Sequence, residues 1–164
     1  MNEQKGFEKH STKTLKFTVL GAAVGQQRVK FGNGHAHEPA KSNVEKMVIR
    51  TMCQHAIDEQ RWVMPSSDMP IKVELTVNVL CPKTKAKWFK EAARRGLIVP
   101  LSKPDVDNVD KLYLDAMSHV IYPDDKQVFD CQVKRRYSDV ESVDVCVTGY
   151  FLNYGDIKAM CQGK

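Results

Sequence analysis

The chain is predicted to fold as an α+β protein: one small domain in which helices pack on a mixed β-sheet. Three observations lead there. Strand-like stretches of period two and helix-like stretches of period 3.6 follow one another without the regular βαβα recurrence of a doubly wound sheet. The length, 164 residues, suits a single core, since a chain of this size buries roughly 70% of the surface its unfolded form exposes. No repeat, low-complexity segment or Pro/Gly/Ser linker divides it. The expected organisation is a flexible, polar N-terminal arm over residues 1–13 and the domain over residues 14–164.

The elements follow in order. Residues 15–20 alternate apolar and polar side chains and read as a strand. Residues 25–37, with glycines at 25, 32 and 34, read as a basic loop or short hairpin. Over residues 42–60 apolar side chains recur at 44, 47, 48, 52 and 56, the spacing of an amphipathic helix, with Ser42 as N-cap and Glu45 completing a capping box. Residues 71–80 place Ile71, Val73, Leu75, Val77 and Val79 at period two, the strongest strand signal present. Residues 83–95 read as a basic helix ending at Gly96. Pro104 suits the first position of the next helix, whose apolar stripe is Val106, Val109, Leu112, Tyr113, Ala116, Met117 and Val120. Residues 127–137 and 142–151 are strands expected to pair as a hairpin.

Composition narrows the class. Apolar residues make up 42% and charged residues 27%, ordinary for a soluble globular protein. The five cysteines are scattered and odd in number, which excludes a disulfide framework or zinc knuckle and points to a reducing compartment. With a polar N-terminus and no run of about 20 apolar residues, the expected location is the cytoplasm, with no membrane contact. The net charge of +5 is unevenly spread: residues 1–50 carry nine Lys+Arg against four Asp+Glu, whereas residues 101–164 carry eight against eleven. That pattern suits a polyanion-binding surface around an acidic site.

The acidic residues are concentrated in Lys103-Pro104-Asp105-Val106-Asp107-Asn108-Val109-Asp110-Lys111, Asp115 and Asp124-Asp125-Lys126-Gln127-Val128. Asp107, Lys111 and Asp115 are spaced i, i+4, i+8 and share one helix face. Asp105 lies where the positive end of the helix dipole favours a carboxylate, and Asp124 and Asp125 can approach from a loop. Converging carboxylates repel unless a cation sits among them, and hard oxygen donors suit Mg²⁺, with Mn²⁺ next. Such a cation supports phosphodiester hydrolysis, and Lys111 is placed to neutralise charge in the transition state. Simpler readings compete: dipole complements, an Asp107–Lys111 surface pair, an Asp-Asp turn. An EF-hand is excluded, since its required glycine falls on Asp110.

This string resembles the RusA family of Holliday-junction resolvases, whose pattern is Pro-Asp-x-Asp-Asn-x-x-Lys, then Asp-Ala-Leu, then Asp-Asp-x-Gln-Val. The resemblance implies that Asp105, Asp107 and Asp125 bind the catalytic metal and that Lys111 is the catalytic lysine. Asp124 becomes an accessory carboxylate, with Asn108, Asp115 and Gln127 in support. It further implies a homodimer acting on four-way junctions in recombination and repair, a phage or prophage setting, and no small-molecule cofactor. The chain departs from the pattern in its first loop, which lacks the usual prolines and has Lys30 in place of a second Arg. It departs again at His119, where many relatives carry glycine. Candidate DNA contacts are Arg28 and Lys30 in that loop, Lys87, Lys90 and Arg94 on the basic helix, and Lys103, Lys134 and Arg135. His35 and His37 are read as surface residues. The competing readings are a flap or single-strand nuclease, a junction-binding protein without turnover and, more remotely, an Asp-x-Asp nucleotide-sugar transferase.

Overall fold

The computed structural model describes residues 10–27, 30–32, 35–37 and 39–162, with main chain alone over 30–32 and 35–37. Its elements are β1 (Ser11–Leu20), β2 (Lys30–Gly32), β3 (His35–His37), α1 (Ala40–Gln60), β4 (Ile71–Leu80), α2 (Lys87–Arg94), α3 (Val106–Met117), β5 (Val128–Ser138), β6 (Ser142–Phe151) and α4 (Tyr154–Cys161). The architecture is α+β: a four-stranded mixed sheet in the order β1-β6-β4-β5, with β2 and β3 as a separate small hairpin.

Alternation in β4 sorts the two faces of the sheet. Ile71, Val73, Leu75 and Val77 are buried while Lys72, Glu74 and Thr76 are half-exposed. Leu15 and Val19 of β1 and Val143, Val145 and Val147 of β6 join the same core, as do Ile49, Cys53 and Ala56 of α1. Helix α3 contributes Val109, Leu112, Tyr113, Ala116 and Met117. The predicted stripe of α3 is therefore present, except that Val106 is exposed and Val120 lies beyond the helix end.

Several expectations need correction. β5 and β6 do not form a hairpin: β4 lies between them, parallel to β5 and antiparallel to β6. The strand with the longest apolar alternation takes the position where both its edges are paired. Two strand spacings are about 10 Å, which the short 139–141 connection can span. In α1 the N-cap is Pro39 with no side-chain cap, so the Ser42–Glu45 capping box does not form. Ser42 is instead buried inside the helix, its Oγ accepting from Gln27 N at 3.1 Å. Pro104 precedes the N-cap of α3 rather than opening the helix. Helix α2 begins at Lys87, leaving Lys83 and Lys85 in the turn before it. β1 begins at Ser11, pairing with Phe151 of β6.

Helix α4 was not among the predicted elements; its signal is Asn153, whose Oδ1 accepts from Gly155 N and Asp156 N at 3.0 and 3.3 Å. The cysteines are free thiols, as their scatter predicts. Among the described residues no helix is long and apolar enough to cross a membrane.

Candidate active site at the start of helix α3

Asp105 is the N-cap of α3, with extended backbone (φ −66°, ψ 148°). Its carbonyl accepts from Asn108 N and Val109 N, both at 3.2 Å, and so begins the helix. Its carboxylate makes no cap hydrogen bond. Asp107 lies in the first turn and Lys111 one turn further; both are exposed, as are Asp105 and Asp115. The shared face read from the i, i+4, i+8 spacing is thus real. The competing reading of an Asp107–Lys111 surface pair does not hold: among the described residues, Asp105, Asp107, Lys111 and Asp125 enter no ion pair. Asp115 pairs instead with the nearly buried Lys46 of α1 at 3.2 Å, and Arg50 Nε donates to the Ala116 carbonyl at 3.3 Å. These two contacts fix α3 against α1.

Two neighbours hold the approach to Asp105. Arg135 of β5 donates from Nη1 to the Ser102 carbonyl at 2.5 Å and from Nη2 to the Pro104 carbonyl. The guanidinium fork clamps the residues leading into the N-cap, so this side chain, expected on DNA, is engaged inside the protein. From the other side, Gly25 sits so close that a β-carbon there would meet the Cβ atoms of Pro104 and Asn108 at 2.9 Å each. Gln26 N donates to the Asn108 carbonyl at 2.7 Å. The loop leaving β1, which leads to the basic β2–β3 hairpin, is thereby stitched to the first turn of α3. Arg28 lies outside the described residues, and for Lys30 only the main chain is described.

The second acidic segment is built as a cap. Asp124 accepts from Lys126 N at 3.0 Å and pairs with Lys126 Nζ at 3.2 Å, while Gln127 Oε1 accepts from Asp124 N at 3.2 Å. This capping box starts a single 3₁₀ turn over Asp125–Gln127. The Lys126 N–H, then the Lys126 ammonium, hold the Asp124 carboxyl below its ordinary value. Gln127 is buried, and its Nε2 donates to the Ser66 and Met69 carbonyls at 2.9 Å each, securing the turn to the loop before β4. Asp125 is exposed and contacts Asp124.

Between the two acidic segments lies a thiol–carboxyl contact that residue spacing does not foretell. Cys131 Sγ of β5 donates to Asp110 Oδ1 at 2.8 Å. Burial, then the Asp110 carboxylate, push the Cys131 thiol well up. Tyr122 is buried between these groups, its hydroxyl pushed up first by burial and then by the charges of Cys131, Asp125, Cys53 and Asp110. Nothing in the spacing marks Asp110 as different from its solvent-facing neighbours; only the strand packed beneath it does.

A divalent cation is implied by the carboxylate set, and its chemistry fits: hard oxygens on Asp105, Asp107 and Asp125 that enter no ion pair among the described residues. Among the described residues, however, no three His, Cys, Asp or Glu side chains are gathered closely enough to hold a metal ion. The set is unspent but not closed.

The other expected contacts divide. Lys87, Lys103 and Lys134 are exposed, Lys90 Nζ donates to the Lys83 carbonyl at 2.7 Å, and Arg94 pairs with Glu91 at 3.2 Å. His119 has φ 63°, the left-handed conformation that glycine adopts at least cost.

Residues 21–148 match the family described as Endodeoxyribonuclease RusA. The chain is also similar to YqaN, an uncharacterised protein of Bacillus subtilis (strain 168), at 37% identity over 137 residues, covering 81% of this chain and 94% of YqaN. The chain belongs to the RusA endodeoxyribonuclease family.

Proposed function

We propose that this protein is a structure-specific, Mg²⁺-dependent endonuclease that resolves Holliday junctions in DNA recombination and repair. The observation that carries the reading is the pair of unspent carboxylates, Asp105 and Asp107, at the positive end of α3, held by the Arg135 clamp and by Gly25. In this reading Asp105, Asp107 and Asp125 hold the cation. When bound, it polarises a phosphoryl oxygen and lowers the pKa of a water molecule.

The chain's own groups do the rest. Lys111, one turn along the face of Asp107, sets a positive charge against the scissile phosphate. Asp124 and Gln127 position Asp125 through the capped turn, and Asp115 positions α3 through Lys46. Exposed Lys87, Lys103 and Lys134 contact phosphates, which place DNA without reading its sequence. Two symmetric nicks in a two-fold junction call for two active sites related by a two-fold axis, and a homodimer supplies them.

The test is cleavage of a labelled synthetic four-way junction with Mg²⁺, beside linear duplex, a flap substrate and an EDTA control. Paired symmetric nicks in the junction alone are expected, and indifference to DNA shape refutes the junction assignment. The alternative is a junction-binding protein without turnover. Tight junction binding with no nicking in Mg²⁺ or Mn²⁺ selects it.

A further inference from the structure

We infer that the cleft between α2 and the carboxyl ends of β4 and β5 is a second phosphate subsite, which grips a DNA strand away from the Asp105–Lys111 face. The inference rests on the nuclease reading above and adds to it a binding site. The cleft encloses about 510 Å³ and is lined by Lys83, Lys90, Arg94 and Arg136, with Asp139 as its one carboxylate and Tyr137 among its apolar walls. Its lining shares no residue with segment 103–127.

Four cations line one concavity; Arg136 and Arg94 are partly balanced by Asp144 and Glu91, each at 3.2 Å, and Arg136 and Lys90 are held in place. Arg136 donates from Nε to Asn78 Oδ1 at 2.6 Å and from Nη2 to Asp144 Oδ2 at 3.2 Å. Asn78 is itself buried and donates to Ser142 Oγ and Asp144 Oδ2 at 2.8 Å each. With two of its five N–H donors engaged, the guanidinium keeps three for a ligand and loses little freedom on binding. Lys90 is tethered by its bond to the Lys83 carbonyl and keeps two donors. Tyr137 is steadied by an edge contact with Phe89, ring centroids 5.9 Å apart, and offers a surface for a deoxyribose or base.

The surroundings point to a polymer. A volume of about 510 Å³ lies within the roughly 300–1,000 Å³ range of small-ligand sites, room for one nucleotide of a strand. Beyond the cleft, exposed Lys85, Lys87 and Trp88 (69% exposed) continue along the α2 side. Positive charge and an aromatic face thus extend outward, as a strand running past requires.

The experiment is fluorescence-polarisation binding of the full chain to a labelled four-way junction in EDTA, from 50 to 200 mM salt. The variants are Arg136→Gln and the double variant Lys83→Gln with Lys90→Gln. Each lost contact is expected to weaken binding about 5–10-fold near 0.1 M salt and to reduce the log K against log salt slope by about 0.9. Wild-type affinity and slope in both variants, with the wild type binding the junction, overturn the subsite and leave the nuclease reading standing. No junction binding by the wild type at 50 mM salt overturns both. If Arg136→Gln melts early because its network is broken, the double variant at exposed Lys83 and half-buried Lys90 decides. A mononucleotide that occupies the cleft without weakening junction binding assigns it to a free ligand and overturns the DNA assignment.

Discussion

Replacing Gly25 with alanine probes how the loop after β1 and helix α3 are joined. The new β-carbon would lie 2.9 Å from the Cβ atoms of both Pro104 and Asn108, whereas ordinary contact begins near 3.4 Å. Neither neighbour can swing away, because a Cβ moves only with its backbone. About half an ångström must therefore be gained by moving the β1 loop, the start of α3, or both. Overpacking of this kind costs about 1–3 kcal/mol, and at this chain length each kcal/mol lowers Tm by about 2–4 °C. A drop of about 2–12 °C is expected in a calorimetric scan. The displaced residues flank Asp105 and Asp107, so cleavage should fall about 10–100-fold, in line with the cost of sub-ångström to 1 Å misplacements. Gly96→Ala is the control: its φ of +70° makes alanine strained, but no atom lies within 4 Å of the new carbon. It should lose stability and keep cleavage per folded molecule. Equal losses of activity in the two variants, or a Gly25→Ala protein that melts and cleaves like wild type, would refute the reasoning.

Other substitutions separate chemistry from scaffolding. Asp105→Asn, Asp107→Asn or Asp125→Asn should abolish junction cleavage while binding is kept or tightened, since negative charge near phosphate is removed; full cleavage by any of them takes that residue out of the site. Lys111→Ala should lower turnover by about 10²-fold or more, read in single-turnover kinetics, and a wild-type rate makes the lysine a solvated surface charge. Arg135→Gln releases the Ser102 and Pro104 carbonyls; it should lower kcat with little change in junction affinity, and the reverse pattern would return Arg135 to the DNA-contacting set. His119→Gly relieves a left-handed strain of about 1–2 kcal/mol against an entropic cost of about 0.5–1 kcal/mol, so Tm should rise by up to about 6 °C. Burial pushes the Cys53 thiol up from 9.0 to about 12. The unfolded chain loses that proton first, so stability is full below about pH 9 and falls as pH rises towards 12. Tm measured from pH 8 to 11 should decline, and less steeply in Cys53→Ala.

What the sequence determined by itself is local. Alternation in 71–80 and the 3.6-residue stripe from Val109 to Met117 identify β4 and α3, because period and burial are properties of a few consecutive turns. The spacing of Asp107, Lys111 and Asp115 is likewise local, and the shared face follows from helix geometry alone. Tertiary structure decided everything that needs a second element. It placed β4 between β5 and β6, a choice between pairings that turn length does not force. It engaged Arg135 with the carbonyls before Asp105 and turned Asp115 towards Lys46. It joined Gly25 to Pro104 and Asn108, far apart along the chain, and brought Cys131 against Asp110. A side chain's partner depends on which strand edge or helix end lies opposite it, and that is settled only when the whole core has closed.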